Sequence, residues 1–331
     1  MEFYLGTWQV APSDGFWTDQ DISESEKVIS QAVRMGICGF DTAQSYGKGR
    51  SEQTLAKVLR RFSSVSKPTK PSSFSKPSSV SSVSKPSNVS TPTKTFQIDT
   101  KVMPSTKSVL EIFKISQTRL SPFPIDCLYL HWPRSGFDNM AFIKEMAKLR
   151  EKGLIGKVGI CNMPLGDLEG VVASGIKVDR IQIPLSLLWT RDLAETKTFC
   201  KENNIRIAAY SPTGMGLLSG KYKESADLHD GRAGMFCFKD SCHRQYLELL
   251  ELLQEISEAH KTSCTKVALA WTASQGPDII LIGARNTEQL KQNLSDPVCL
   301  TETELSDLST AAQKLDEKSR KLCSNIFSYH F

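Results

Sequence analysis

The chain has no apolar run near the roughly 20 residues that a membrane helix needs, so a membrane-spanning protein is not expected. It opens MEFYLGTWQV, without a basic stretch leading into an apolar one, so a signal peptide is not expected either. C-x-x-C never occurs. The nine cysteines are an odd number, and the closest two, Cys237 and Cys242, have four residues between them. A disulfide scaffold is therefore not expected, and a reducing, cytoplasmic setting is. Residues 63–94 contain no Asp or Glu and hold five lysines (Lys67, Lys70, Lys76, Lys85 and Lys94). Those five belong to a total of 41 Lys and Arg, so 36 remain against 36 acidic residues. The net charge of +5 thus belongs to one segment. It gives no basic face for nucleic acid.

What remains is 331 residues, 40% hydrophobic and 23% charged, enough for a large globular core. Residues 63–94 stand apart. They carry a nine-residue repeat, with Ser-Lys-Pro starting at Ser66, Ser75 and Ser84. Such a polar stretch cannot bury enough apolar surface to offset its ordering entropy, so a disordered insertion is expected there. It reads first as a surface-loop expansion, and second as a basic tether open to phosphorylation. The ordered pattern resumes at Phe96. The segment therefore interrupts one domain spanning 1–331 and does not separate two.

Elsewhere short strand-like runs alternate with helical ones. Strands are expected at 3–9, 38–42, 96–102, 126–131, 157–162, 180–184, 206–210 and 279–283. Helices are expected at 24–34, 51–62, 108–120, 139–152, 165–173, 192–203, 245–259, 264–274 and 287–294. Eight strands, nearly continuous in apolar residues, suit a parallel sheet covered on both faces. Eight units predict an α/β fold of the closed (β/α)8 TIM barrel type. A doubly wound sheet is the alternative, but it would want a Gly-rich fingerprint where Thr7-Trp8-Gln9 stands.

A barrel brings the C-terminal ends of its strands to one mouth, where catalysis takes place. Those ends carry Asp41, Lys101, His131, Asn162, Gln182, Tyr210 and Ser211, with Tyr46 in the loop after Asp41. A tyrosine hydroxyl titrates near pH 10, too high for easy proton exchange. A lysine ammonium beside it would lower that value, and Asp41 could hold the lysine as an ion pair. His131 could donate to a carbonyl oxygen. Together these groups make a general acid beside a polarised carbonyl, with no need of a metal.

Six blocks carry a resemblance. They are Gly39-Phe40-Asp41-Thr42-Ala43-Gln44-Ser45-Tyr46-Gly47; Thr100-Lys101; and Asp126-Cys127-Leu128-Tyr129-Leu130-His131-Trp132-Pro133. There follow Lys157-Val158-Gly159-Ile160-Cys161-Asn162; Tyr210-Ser211-Pro212 with Ser219-Gly220-Lys221-Tyr222; and Ile282-Gly283-Ala284-Arg285-Asn286 with Gln289 and Asn293. In this order and spacing the chain resembles the aldo-keto reductase superfamily, over nearly everything but the insertion.

The resemblance implies NADPH-dependent reduction of an aldehyde or ketone, a small-molecule carbonyl substrate. It makes Tyr46 the general acid, tuned by Lys101 and Asp41, with His131 orienting the carbonyl. It implies that Thr7, Trp8 and Asp41 border the nicotinamide side. Asn162 and Gln182 would bind its carboxamide, and Tyr210 would stack on its ring. Ser211, Gly214, Gly216 and Lys221 would contact pyrophosphate and ribose. Gly283, Arg285, Gln289 and Asn293 would hold the adenosine end, and a guanidinium at Arg285 suits a 2′-phosphate, hence NADP. Cys161 stands where the family usually has serine. Strand 1 comes so early that the hairpin often found below such barrels has little room, so an open floor or a truncated chain is expected. The insertion follows a helix and precedes a strand, which assigns it to the floor, away from the mouth. A second function shares the fold: an NADPH-binding sensor similar to potassium-channel beta subunits, with little turnover. A monomer is expected over an oligomer, and the sequence does not set the carbonyl substrate.

Overall fold

A computed structural model describes residues 1–12, 15–63 and 95–327. The Ser-Lys-Pro repeat lies outside the described residues. Eight parallel strands close into a barrel in sequence order. They are β1 (Glu2–Gly6), β2 (Gly39–Asp41), β3 (Gln97–Val102), β4 (Ile125–Leu130), β5 (Ile155–Cys161), β6 (Arg180–Pro184), β7 (Arg206–Tyr210) and β8 (Ile279–Ile282). The seam joins β1 to β8, with Glu2 opposite Ile279 and Leu5 opposite Ile282.

Helices return the chain between strands: α1 (Ile22–Arg34), α2 (Arg50–Leu59), α3 (Val109–Leu120), α4 (Asn139–Glu151), α5 (Leu165–Ala173) and α6 (Arg191–Glu202). Two lie between β7 and β8, α7 (Asp240–Ala259) and α8 (Cys264–Ser274). After β8 come α9 (Thr287–Asn293) and α10 (Glu302–Ser319). Several start on side-chain caps that satisfy otherwise orphaned N–H groups. Asp21 accepts from Ser23 and Glu24 at the head of α1, and Ser108 forms a capping box with Glu111 at the head of α3.

Two differences from the expected elements have local causes. Strand β1 stops at Gly6, and a 3-10 turn at Trp8–Val10 follows, because the Thr7 N–H donates to the Asp41 carbonyl and its own carbonyl accepts from Val10. Helix α10 was not expected. Its signals are a capping box at Thr301 and Glu304, then buried Leu308, Ala312 and Leu315 on one face. It packs against α7, and it is pinned by buried Arg191, whose Nε donates to Asp316 Oδ1 at 2.9 Å.

The main core lies between strands and helices. Inside the barrel the packing is mixed. Tyr4, Ala208, Ile279 and Leu281 form one small cluster, and Cys127, Tyr129 and Cys161 another. Two aromatic rings lie flat against glycines on the next strand. A Cβ on Gly39 would sit 2.2 Å from the Tyr4 ring, and one on Gly159 would sit 2.3 Å from the Tyr129 ring. These two positions must be glycine for the rings to fill the barrel.

Candidate active site

Period-two alternation puts residues two apart on the same face of a strand. On β3 it aims both Asp99 and Lys101 inward, and on β6 both Arg180 and Gln182. Lys101 is almost wholly buried. Its ammonium donates to Asp41 Oδ1, to the Thr42 carbonyl at 3.0 Å and to Tyr46 Oη at 3.2 Å. The second Asp41 oxygen accepts from Gln182 Nε2 at 2.8 Å. Asp41 thus fixes Lys101 from below while Tyr46 receives it from above. Because the tyrosine oxygen accepts from Lys101, the phenol's own proton is left to point elsewhere.

Burial pushes the Tyr46 hydroxyl up to about 12, against the downward pull of Lys101. The expected pull is present, but desolvation outweighs it. Tyr46 therefore keeps its proton throughout the neutral range. Burial also raises the Asp41 carboxyl, with Lys101 drawing it back. Burial works against the Lys101 charge, yet Asp41 and Tyr46 hold the proton there and raise its pKa overall. His131 follows the end of β4 and donates its backbone N–H to the Val102 carbonyl at 2.8 Å. Its imidazole meets the Tyr46 ring edge-on, with centroids 5.6 Å apart. Burial, then the nearby Lys101 charge, holds it well below the usual histidine range. It is a neutral imidazole at pH 7. Ser45 Oγ lies 3.4 Å from its Nδ1.

The mouth above this group is aromatic. Trp8 packs on Phe16, Trp17, Tyr46 and Phe327. Phe327 comes from beyond α10 and lies parallel to Tyr210, at 6.3 Å between centroids and 2° between planes. It also meets Trp132 at 6.1 Å.

The other expected contacts fall into three groups. Thr7 is fully buried, and its hydroxyl donates to the Asp41 carbonyl at 2.9 Å while receiving Ser51, so it ties β1 to β2. Asn162 takes a left-handed φ of 57° and bridges the mouth, donating to the His131 carbonyl at 3.0 Å and accepting from Tyr210 Oη at 2.8 Å. After β7 the backbone turns through a run of left-handed residues, Ser211, Gly214, Met215, Gly216 and Gly220. Such turns can present amide groups to an anion. A Cβ on Gly216 would meet Arg232 Nη1 at 3.7 Å, an ordinary contact, and Gly216 is half-buried. Lys221 is exposed beside this run.

After β8, Gln289 Oε1 accepts from the Arg285 N–H at 2.9 Å, and Asn293 Nδ2 donates to the Gly283 carbonyl at 3.1 Å. These two side chains shape the loop that carries Arg285. The donor set fits a dinucleotide: a cation at one end, a glycine turn in the middle, and amides with a tyrosine at the other.

Sequence reasoning did not single out Asp99, Arg180, Asp19 or Phe327. Arg180 is buried and pairs with Asp99 at 2.8 Å and Asp126 at 3.1 Å. The strand parity that placed Lys101 and Gln182 inward would have found Asp99 and Arg180. Asp19 pairs with Arg285 at 2.8 Å across most of the chain, and no local signal marks that pair.

The profile of the Aldo/keto reductase family matches residues 2–309, and the chain belongs to that family. Its members are oxidoreductases of carbonyl compounds that use nicotinamide cofactors. Over 340 aligned residues the chain is 26% identical to a chloroplastic pyridoxal reductase of Arabidopsis thaliana, covering 99% of this chain and 86% of the relative. It is 25% identical to an NADH-specific methylglyoxal reductase of Escherichia coli, covering 88% of each. Among solved structures, a glycerol dehydrogenase from Gluconobacter oxydans superposes with a TM-score of 0.71 at 23% identity, covering 95% of this chain and 92% of that one. This last likeness confirms the fold.

Proposed function

We propose that this chain is an NADP(H)-dependent reductase of a small aldehyde or ketone, with Tyr46 as general acid. The observation that carries the reading is Lys101, buried and bonded at once to Asp41 and to Tyr46 Oη. The nicotinamide, when bound, supplies a hydride to the carbonyl carbon. Tyr46 gives its proton to the carbonyl oxygen as that oxygen gains charge. The phenolate left behind is stabilised by Lys101, which stays protonated. Asp41 keeps Lys101 in place, and Gln182 keeps Asp41 in place. Neutral His131 directs an N–H at the same oxygen and adds no charge. Water returns the proton to Tyr46 between turnovers.

In this reading Tyr210 supports the nicotinamide ring, with Trp8 beside it. Asn162 and Gln182 each use only part of their amide within the protein, and an amide offers two N–H groups and two lone pairs. One of each remains for the carboxamide. Ser211, Gly214, Gly216 and Lys221 take the pyrophosphate and ribose. The Arg285 guanidinium takes the 2′-phosphate, in the loop set by Gly283, Gln289 and Asn293. The test is parallel titration of tryptophan fluorescence with NADPH and NADH, followed by turnover of an aldehyde panel. Tighter binding of NADPH with turnover is expected. Binding of NADH alone would overturn the cofactor assignment, and binding without turnover of any carbonyl would overturn the enzyme.

A further inference from the structure

Residues 15–20, between β1 and α1, form a strap from the turn at Gly231–Arg232, where Arg232 Nη1 donates to the Met215 carbonyl at 3.1 Å, to the loop that carries Arg285. At one end the Gly231 N–H donates to the Gly15 carbonyl at 2.6 Å. There Arg232 stacks on the Trp17 ring at 4.8 Å. Trp17 takes a left-handed φ of 56°, and its buried indole N–H has no partner among the described residues. At the other end the strap meets Arg285 through the side chains of Asp19 and Gln20. Asp19 Oδ1 lies 2.8 Å from Arg285 Nη2, and Gln20 Oε1 accepts from Arg285 Nε at 2.9 Å. Gln20 Nε2 returns to the Arg285 carbonyl at 3.0 Å and to Ser25 Oγ at 3.1 Å. The guanidinium that would face a 2′-phosphate is thus already engaged by a carboxylate and an amide.

A phosphate monoester is best held by two parallel N–H bonds from one guanidinium. With Nε and Nη2 of Arg285 engaged, its side-on face is closed; a phosphate either displaces a strap side chain there or takes the end-on Nη1–Nη2 face beside the Asp19 charge. Asp19 is the costly one, because its negative charge repels the phosphate as well as occupying the cation. A 2′-hydroxyl carries no charge and meets neither obstacle. We propose that Asp19 is a specificity-determining residue of the dinucleotide site: it competes with the 2′-phosphate for Arg285, narrowing the advantage of NADPH over NADH. This rests on the assignment of Arg285 to the 2′-phosphate. The pair is part-exposed on the Arg285 side and well exposed on the Asp19 side. Its competition is therefore worth about two- to fivefold in affinity, not orders of magnitude.

The experiment compares the full chain with Asp19→Asn, Arg285→Ala and the double variant. Each is titrated with adenosine 2′,5′-bisphosphate and AMP, then with NADPH and NADH, by tryptophan fluorescence. Asp19→Asn is expected to tighten the two 2′-phosphorylated ligands about two- to fivefold and to leave AMP and NADH within error. In the Arg285→Ala background that gain should vanish. An Asp19→Asn that leaves the NADPH to NADH ratio unchanged overturns the proposal, as does a gain that persists without Arg285. The Arg285→Ala arm reads the underlying assignment by itself. If it weakens 2′-phosphorylated ligands only, that assignment stands whatever Asp19 does, and if it weakens all four equally, the assignment falls.

Discussion

Two buried ion pairs sit inside this barrel, and they share strand β3, where Lys101 and Asp99 are two residues apart. Lys101 and Asp41 face the mouth, and Asp99 and Arg180 lie one layer deeper. Both pairs are withdrawn from water. They differ in how well they are satisfied. Lys101 has three acceptors, and each Asp41 oxygen has a donor. In the deeper pair, Asp99 Oδ1 and Arg180 Nε find no partner among the described residues. The upper pair also ends on a group that can exchange a proton, Tyr46, whereas the deeper one runs toward the floor through Asp126 and Lys157. Burial of charge alone therefore does not mark a catalytic site. What marks it is a full set of bonds that leads to a titratable group at the mouth.

The comparison breaks most sharply at Tyr46. Tyr46→Phe should lower kcat by about 10²- to 10⁴-fold, the usual worth of a general acid. Cofactor affinity should stay within about twofold, as the test is whether the acid acts on turnover alone; loss of affinity in step with kcat would remove Tyr46 from the role. Next comes Asp99→Asn, which leaves the buried Arg180 cation with only the part-exposed Asp126 as its counter-charge. Urea unfolding should show a loss of about 3–5 kcal/mol. Arg180→Met should cost less, because Asp99 can take up a proton and an arginine cannot give one away. Equal losses would show that charge is not what the layer contributes.

The deeper pair also has a pH signature. Burial pushes the Asp99 carboxyl up to about 7, with Arg180 pulling down. The native state thus binds this proton more tightly than the unfolded chain does. Its contribution is full below the usual carboxylate range and is lost as pH rises through about 7. The urea midpoint should fall over that window in the native protein, and the slope should flatten in Asp99→Asn. The smallest effect belongs to the aromatic mouth. Phe327→Ala should raise KM for an aromatic aldehyde about two- to tenfold, the worth of a ring contact, and leave KM for a short aliphatic one nearly unchanged.

The upper pair was legible in the sequence, and the deeper one was not. Asp41, Lys101 and His131 lie at or just past strand ends, with Tyr46 in a following loop, so the barrel rule alone gathers them at the mouth. Asp99 lies within β3 and Arg180 opens β6, so a rule that looks only at C-terminal strand ends passes both over, although strand parity sets them inward with Lys101 and Gln182. The resemblance set Thr7 beside the nicotinamide; that its hydroxyl also bonds the Asp41 carbonyl between strands had no local signal. The barrel itself was readable from eight apolar runs. Helix α10 was passed over although its cap and apolar face are both present, because the count of eight units was already complete before it. The pairing of Asp19 with Arg285 arises only when the barrel closes.

That closure has a consequence for how the chain is made. Strand β1 pairs on one side with β2 and on the other with β8. A ribosome releasing this chain therefore exposes one bare edge of β1 until β8 has emerged. Bare edges recruit other strands, and pairings this distant in sequence form slowly. A product stopped before Ile279 should accumulate as aggregate even though seven strands are present, while extension through β8 and α10, to Ser319, should restore solubility. Measuring soluble yield along such a truncation series would locate the residue at which the sheet stops being a template for its neighbours.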